Sequence, residues 1–327
     1  MTIRWGILGC GDVARRRVAA AIQQQSDSVL QAVCRRNEQK LQQFCDDFHV
    51  PDSYSDSQQL LTATNIDAVY IATPVYLHEP QTLLAAKERK HVLVEKPMAM
   101  SVAECESMIE VCQQNQVKLG VAYYRRFYPV VARMAEILSA GELGQPLSVT
   151  AVTATPFNFQ PGEDGYWRVL REEGGGGALM DIGSHRIDLF QHLFGPIGEV
   201  AGFISTLAAD YQADDCTTLT MRFTSGVHAV LQCYFGATID PDEFTILGTS
   251  GRLSVTPLNQ GRLIVESSAG RREESLPPSN NFNDPLIDDF VAAIQQDREP
   301  LISGPAGCVT NQVMEAAYLQ KTVQIGE

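Results

Sequence analysis

No two of the eight cysteines stand as a Cys-x-x-Cys pair, and no cysteine–histidine group has the spacing of a zinc site. That excludes a zinc module. It leaves Cys10, Cys34, Cys45, Cys105, Cys112, Cys216, Cys233 and Cys308 as reduced thiols serving as small apolar side chains. Positive charge is also short: 25 Lys and Arg face 39 Asp and Glu, a formal net charge of -14. An acidic surface repels phosphate backbones and anionic lipid, so neither nucleic acid nor a membrane is expected as a partner. No apolar run approaches the length of a membrane span. Met1-Thr2-Ile3-Arg4 leads into a strand pattern without the basic and apolar regions of a signal peptide, and a cytoplasmic protein is expected. Internal repeats are missing as well. Small molecules remain as the expected partners.

What is present is ordinary globular composition over 327 residues, 44% hydrophobic and 20% charged, enough for two domains with cores of their own. The first third alternates strand and helix patterns. Strands are expected over 3–8, 29–33, 68–72, 91–95 and 118–121, and helices over 13–22, 38–48 and 78–89. Ser101 caps a further helix, with Glu104 placed to complete a capping box. Such alternation implies βαβ units and a doubly wound parallel sheet over residues 1–122. The pattern then changes, and residues 123–327 read as a second domain. A helix over 129–140 ends at Gly141, and the glycine run Gly174 to Gly177 opens a helix over 178–194 that stops at Gly195-Pro196. Strands separated by tight turns fill 198–265, which predicts a mainly antiparallel sheet. A polar loop is expected over 268–281, and helices over 285–296 and 307–322 close the chain.

Gly9-Cys10-Gly11-Asp12-Val13-Ala14 sits after the first strand and opens the first helix. This Gly-x-Gly-x-x-Ala pattern supplies a tight turn, a close approach of backbone to a pyrophosphate, and close packing of helix on strand. The helix start offers amides and a positive dipole end to the phosphates. The second strand ends in Cys34-Arg35-Arg36-Asn37, where an NAD enzyme usually places a carboxylate for the ribose hydroxyl. Two guanidinium groups there suit a 2′-phosphate, which points to NADP(H) rather than NAD(H). The plainer reading is a pair of solvated arginines.

Three further segments carry a family resemblance: Ile71-Ala72-Thr73-Pro74-Val75-Tyr76-Leu77-His78, then Glu95-Lys96-Pro97, then Gly175-Gly176-Gly177-Ala178-Leu179-Met180-Asp181-Ile182-Gly183-Ser184-His185-Arg186-Ile187-Asp188. In order and spacing the chain resembles the glucose–fructose oxidoreductase / inositol dehydrogenase / MocA (Gfo/Idh/MocA) family over essentially its whole length. Tyr166-Trp167-Arg168 is similar to the 1,5-anhydrofructose reductases within it. The resemblance implies an α/β fold: an N-terminal Rossmann domain and a C-terminal α+β domain with a large, mostly antiparallel open sheet. It implies assembly as a homodimer or homotetramer through that sheet. The activity implied is NADP(H)-dependent hydride transfer to or from a carbonyl or alcohol carbon of a sugar, keto-sugar or cyclitol.

Lys96 directly follows a strand, at the carboxyl edge of a parallel sheet where ligands bind, and an ammonium there can protonate a developing alkoxide. The resemblance gives it that role. Asp181 and His185 are four apart and share one face of a helix, a stripe that Asp188 and His192 extend. In the functional reading His185 gives and takes a proton and Asp181 binds a substrate hydroxyl. The competing readings are satisfied core polar groups, or a metal held by Asp181, His185 and His192; no metal is expected. Thr73, Pro74 and His78 line the cofactor cleft in family terms, though His78 equally suits a helix start bonded to a backbone carbonyl. Glu95 either contacts the nicotinamide ribose or ends its strand, and Pro97 fixes the backbone beside Lys96, by analogy as a cis bond. Tyr123, Tyr124, Arg125 and Arg126 form either a packing seam or a contact set, with Arg126 toward cofactor and Tyr124 toward substrate. Trp167 and Arg168 suit a substrate wall, an aromatic face for a sugar ring and a donor for hydroxyls, or else Trp167 is simply core. Two alternatives to a sugar enzyme are a non-catalytic NADP-binding regulator on the same fold and a dihydrodiol dehydrogenase, in which position 185 is not expected to be histidine.

Overall fold

The computed structural model describes residues 1–320. Two compact units divide the chain: Met1–Tyr124 with Ser279–Asn311, and Arg125–Pro278 with the segment from Gln312. The first unit holds β1 (Ile3–Leu8), β2 (Ser28–Cys34), β3 (Asp52–Tyr54), β4 (Ala68–Ile71), β5 (His91–Val94) and β6 (Leu119–Val121). They pair in the order β3-β2-β1-β4-β5-β6, every neighbour parallel. This is the doubly wound order, and its direction reverses beside β1, where the strand ends form a ligand crevice. All of β4 is buried, as a strand covered by helices on both faces must be.

The covering helices are α1 (Ala19–Gln24), α2 (Glu38–Phe48), α3 (Ser57–Thr62), α4 (His78–Lys87) and α5 (Val102–Gln114). α1 continues a wide π-type turn over Ala14–Val18. Local chemistry sets their starts. The side chain of Asn37 accepts from the Lys40 amide at the start of α2, and Ser101 accepts from the Glu104 amide at 3.2 Å. The Glu104 carboxylate reaches back to the Met100 amide at 2.9 Å, so the expected box forms with its return arm one residue further out. β3 and α3 are not foreseen from sequence, because elements of three and six residues show no periodicity.

The second unit contains α6 (Pro129–Ser139), β7 (Pro146–Ala154), α7 (Arg171–Gly174), α8 (Ser184–Phe194), and then β8 (Ile197–Ser205), β9 (Cys216–Phe223), β10 (His228–Tyr234), β11 (Asp242–Gly248), β12 (Gly251–Val255), β13 (Arg262–Ser267) and β14 (Gly270–Ser275). Eight strands pair as β14-β13-β12-β11-β7-β10-β9-β8. Every pair is antiparallel except β7 with β10. β7 lies mid-sheet and has no counterpart among the sequence expectations, although Val149, Ala151 and Thr153 alternate with less buried neighbours. β14 takes up 270–275 of the polar loop expected over 268–281. Its Arg271-Arg272-Glu273-Glu274 run reads as loop because edge strands carry charge. On one face of the sheet Phe203 and Leu247 stand exposed among Thr218, Thr220 and Gln232.

The chain ends in α9 (Asp284–Gln295) and α10 (Gly304–Leu319). A single break at residue 122 does not describe the packing, because 279–311 returns to the first unit. Phe290 of α9 packs tilted against Trp5 with ring centroids 5.6 Å apart, the Val121 amide donates to the Ile302 carbonyl, and Gly120 bridges to Ser303. α9 turns Leu286, Ile287, Phe290 and Val291 inward, so it completes that core. α10 begins three residues earlier than expected; Lys321 and Thr322, assigned to it from sequence, lie outside the described residues. Among the described residues no helix is long and apolar enough to cross a membrane.

Candidate functional site

The glycine loop follows from β1. Gly9 takes φ +88°, and a Cβ there would lie 2.6 Å from the Ala72 carbonyl oxygen, so only glycine fits. Its amide donates to the Cys34 carbonyl at 3.0 Å, which ties the loop to the end of β2. Gly11 instead has nothing within 4 Å of its would-be Cβ, and no side chain caps the helix that follows. Ala14 is fully buried, the close helix–strand contact that the motif needs. Asp12 is exposed and pairs with Arg16. Arg35 donates to the Cys10 carbonyl, which lays its guanidinium along the loop, while Arg36 is exposed. An open glycine, an uncapped helix start and a guanidinium at the loop fit a dinucleotide phosphate.

A second cluster lies at the ends of β4 and β5. The Lys96–Pro97 peptide bond is cis. Lys96 is half-buried, and its amide donates to the Glu95 carboxylate at 3.1 Å. That carboxylate also accepts from the Tyr70 hydroxyl at 2.7 Å, and Asn283 donates to the same hydroxyl oxygen at 3.3 Å. Burial pushes Glu95 above the usual carboxylate range, with Lys96 opposing. Glu95 is therefore held by protein groups as well as ending its strand. His78 is 1% exposed, with Nδ1 near the carbonyls of Pro97 and Met98 and Nε2 2.9 Å from that of Thr73. Burial holds its imidazole down at about 4. His78 thus braces the segments bearing Thr73 and Lys96. The Thr73 hydroxyl donates to Gln81, and Pro74 is half-buried. Tyr123 is fully buried; Tyr124 is 8% exposed and stacks on Phe282 at 5.8 Å, and the Arg17 guanidinium lies against both Tyr124 and Phe282.

Within the second unit, Arg126 grips Asp188 through Nε and Nη2 at 2.6–3.0 Å, both side chains almost wholly buried. Burial pushes the Asp188 carboxyl up to about 6, with Arg126 opposing. The guanidinium of Arg126 is committed to this pair. Trp167, Arg168 and Asp181 come together: the Arg168 guanidinium lies 4.7 Å from the Trp167 ring and 5.8 Å from that of Phe159, and its Nε is 3.7 Å from the Asp181 carboxylate. All three are half-buried, so an apolar face and two polar groups are presented together. His185, 5% exposed, is the second residue of α8, which follows a wide π-type turn over Leu179–Gly183 that carries Asp181; such turns recur at functional sites. Burial holds His192 below its ordinary value.

Sequence reading missed Tyr70, Asn283 and Arg17 behind Glu95, and Phe159 beside Arg168. Asn283 and Phe282 reach the first unit from a distant segment, which no local pattern reveals. Among the described residues no group of three or more His, Cys, Asp or Glu could hold a metal ion.

A doubly wound parallel sheet with a glycine loop and an uncapped helix start defines a dinucleotide-binding unit, joined here to an open-sheet unit. Residues 3–123 match the family model of an oxidoreductase family with an NAD-binding Rossmann fold, and residues 131–254 match its C-terminal domain. The chain is 34% identical to Oxidoreductase P35 of Formosa agariphila over 77% of its length and 78% of the relative's. It is 27% identical to the 1,5-anhydro-D-fructose reductase of Ensifer adhaerens over 93% and 92%. Among solved structures, the aldose-aldose oxidoreductase of Caulobacter crescentus superposes with a TM-score of 0.88 at 28% identity, over 97% of both chains. The chain belongs to the Gfo/Idh/MocA family of oxidoreductases, and its first unit is an NAD(P)-binding Rossmann domain.

Proposed function

We propose that this enzyme is an NADP(H)-dependent oxidoreductase that interconverts a carbonyl and an alcohol carbon of a sugar, keto-sugar or cyclitol. The observation that carries the cofactor choice is the end of β2, where Arg35 lies along the glycine loop, Arg36 is exposed and no carboxylate stands. A guanidinium suits a 2′-phosphate and offers nothing to a ribose diol that a carboxylate would. The substrate class is supported by two relatives named for sugar chemistry and by Trp167, Arg168 and Asp181, an aromatic face with a donor and an acceptor for hydroxyls. The nicotinamide, when bound, supplies or takes the hydride. In the first unit Lys96 is assigned proton transfer with the substrate oxygen; in the second, His185 is assigned proton transfer, Asp181 and Arg168 orient hydroxyls, and Trp167 excludes water from the ring's apolar side.

The test is a spectrophotometric panel of aldoses, oxo-sugars and cyclitols with NADPH and NADH. Lys96→Ala is expected to lower kcat about a thousandfold, with NADPH affinity nearly unchanged. Arg35→Ser with Arg36→Ser is expected to weaken NADPH about ten- to a hundredfold and leave NADH alone. A panel without NADPH oxidation, or a fully active Lys96→Ala enzyme, overturns the reading. The exposed sheet face with Phe203 and Leu247 is assigned to pairing of copies as a homodimer or homotetramer. Phe203→Glu should then give a monomer by light scattering; a wild-type monomer removes that assignment.

A further inference from the structure

The glycine run ahead of Asp181 packs against one buried aspartate that the proposed chemistry does not use. Asp214 is 3% exposed and lies on the loop before β9. Its Oδ1 accepts from the Gly177 amide at 2.9 Å and from the Tyr318 hydroxyl at 2.7 Å. Its Oδ2 accepts from the Leu179 amide at 2.8 Å and from the Thr217 hydroxyl at 3.2 Å. Its own carbonyl accepts from the Ala178 amide at 2.8 Å. Three consecutive amides at the start of the helix that carries Asp181 and His185 are thus fixed by one residue.

The glycines exist for this arrangement. A Cβ on Gly177 would collide with the Asp214 carbonyl, a Cβ on Gly176 with the Tyr318 hydroxyl, and a Cβ on Gly174 would lie 2.9 Å from the carbonyls of Trp167 and Arg168. Gly175 takes φ +79° to close α7. In this run the backbone closely approaches Asp214, Tyr318 and the Trp167–Arg168 turn. Arg168 in turn reaches Asp181, and the Trp167–Arg168 turn packs on the same glycine run that Asp214 holds at its other end.

We infer that Asp214 is the positioning residue of the second unit's site, acting through the glycine run to aim Asp181 and His185, with Tyr318 and Thr217 as its supports. The inference rests on the roles proposed above for Asp181 and His185. Removing the anion frees the Leu179 amide and lets the wide turn over Leu179–Gly183 relax toward a regular helix, which rotates Asp181 relative to His185. Substrate orientation then fails while cofactor binding, a property of the first unit, does not.

The experiment compares Asp214→Asn, Tyr318→Phe and Thr217→Val with His185→Gln, assaying the sugar best used by the wild-type enzyme. Asp214→Asn is expected to lower kcat about ten- to a hundredfold, as a displaced catalytic constellation does, while KM for NADPH stays within about twofold. Tyr318→Phe and Thr217→Val each leave the two amide bonds in place and are expected to cost kcat about threefold. Hydrogen exchange of 177–188 should rise in Asp214→Asn. A folded Asp214→Asn with wild-type kcat and unchanged exchange overturns the inference. Should that variant fail to fold, the two milder ones decide: wild-type kcat in both overturns it as well. An active His185→Gln enzyme overturns instead the role of His185, and exchange in Asp214→Asn then still reports whether Asp214 holds the turn.

Discussion

Two helices in this chain open in the same way and are finished differently. Each begins with a wide π-type turn, over Ala14–Val18 in the first unit and Leu179–Gly183 in the second, and each follows glycines. At the first, Gly11 faces open space and no side chain caps the helix. At the second, the glycines are filled by Asp214 and Tyr318, and a carboxylate already occupies the amides. A helix start favours an anion in either case. The first leaves that anion to be brought by a cofactor; the second contains it. Glycine before a helix therefore signals close approach, and only the three-dimensional surroundings say whether ligand or protein makes it.

The sharpest way to break this contrast is to add one methyl group at each start. Gly177→Ala forces a Cβ into the Asp214 carbonyl and disturbs the amides that Asp214 holds. We expect a loss of about 3 kcal/mol or more of stability, from overpacking combined with strained buried hydrogen bonds. Gly11→Ala has room and no positive φ, so stability by denaturant unfolding should stay within about 0.5 kcal/mol. NADPH affinity by fluorescence titration should nevertheless fall at least about tenfold, because the methyl group stands where the pyrophosphate approaches. A Gly11→Ala protein as unstable as Gly177→Ala, or a silent Gly177→Ala, would erase the distinction.

Much of this was legible in the chain. The strand ends and the glycine loop of the first unit carry their signals locally: a buried run, Gly9 at a turn, Ala14 against the strand, Ser101 and Glu104 at a cap. In the second unit the sequence singled out Asp181 and His185 by a regular helical spacing, which a wide π-type turn over Leu179–Gly183 replaces, and Trp167-Arg168 by residue type. What escaped was non-local. Asn283 and Phe282 join the first unit from a segment more than 150 residues past β6, and Asp214 lies in a loop where a carboxylate is ordinarily solvated. Tyr124 and Arg126 read from sequence as either a packing seam or a contact set. Both have the residue types of a binding wall, yet a stack on Phe282 and a bidentate hold on Asp188 engage them.

The two units also differ in how a buried titratable group leans on stability, and this gives the smallest effect. His78 is held down at about 4 by burial, against roughly 6.5 when unfolded. Its folded pKa is depressed, so the unfolded chain binds the proton first on acidification. Stability attached to His78 is therefore full above pH 6.5 and lost as pH falls from about 6.5 toward 4, by at most roughly 3 kcal/mol. Asp188 in the second unit is pushed up to about 6, above its unfolded value, so its burial penalty is relieved as pH falls through 6 and its slope has the opposite sign. Each unit carries one tryptophan, Trp5 and Trp167, so a Trp167→Phe background lets Trp5 report the first unit alone. There, the difference in unfolding free energy between His78 and His78→Gln proteins should shrink as pH drops from 7 to 4. A difference that stays flat across that window would show that the His78 imidazole titrates as it does in the unfolded chain, and that the bracing of Thr73 and Pro97 does not depend on its neutral form.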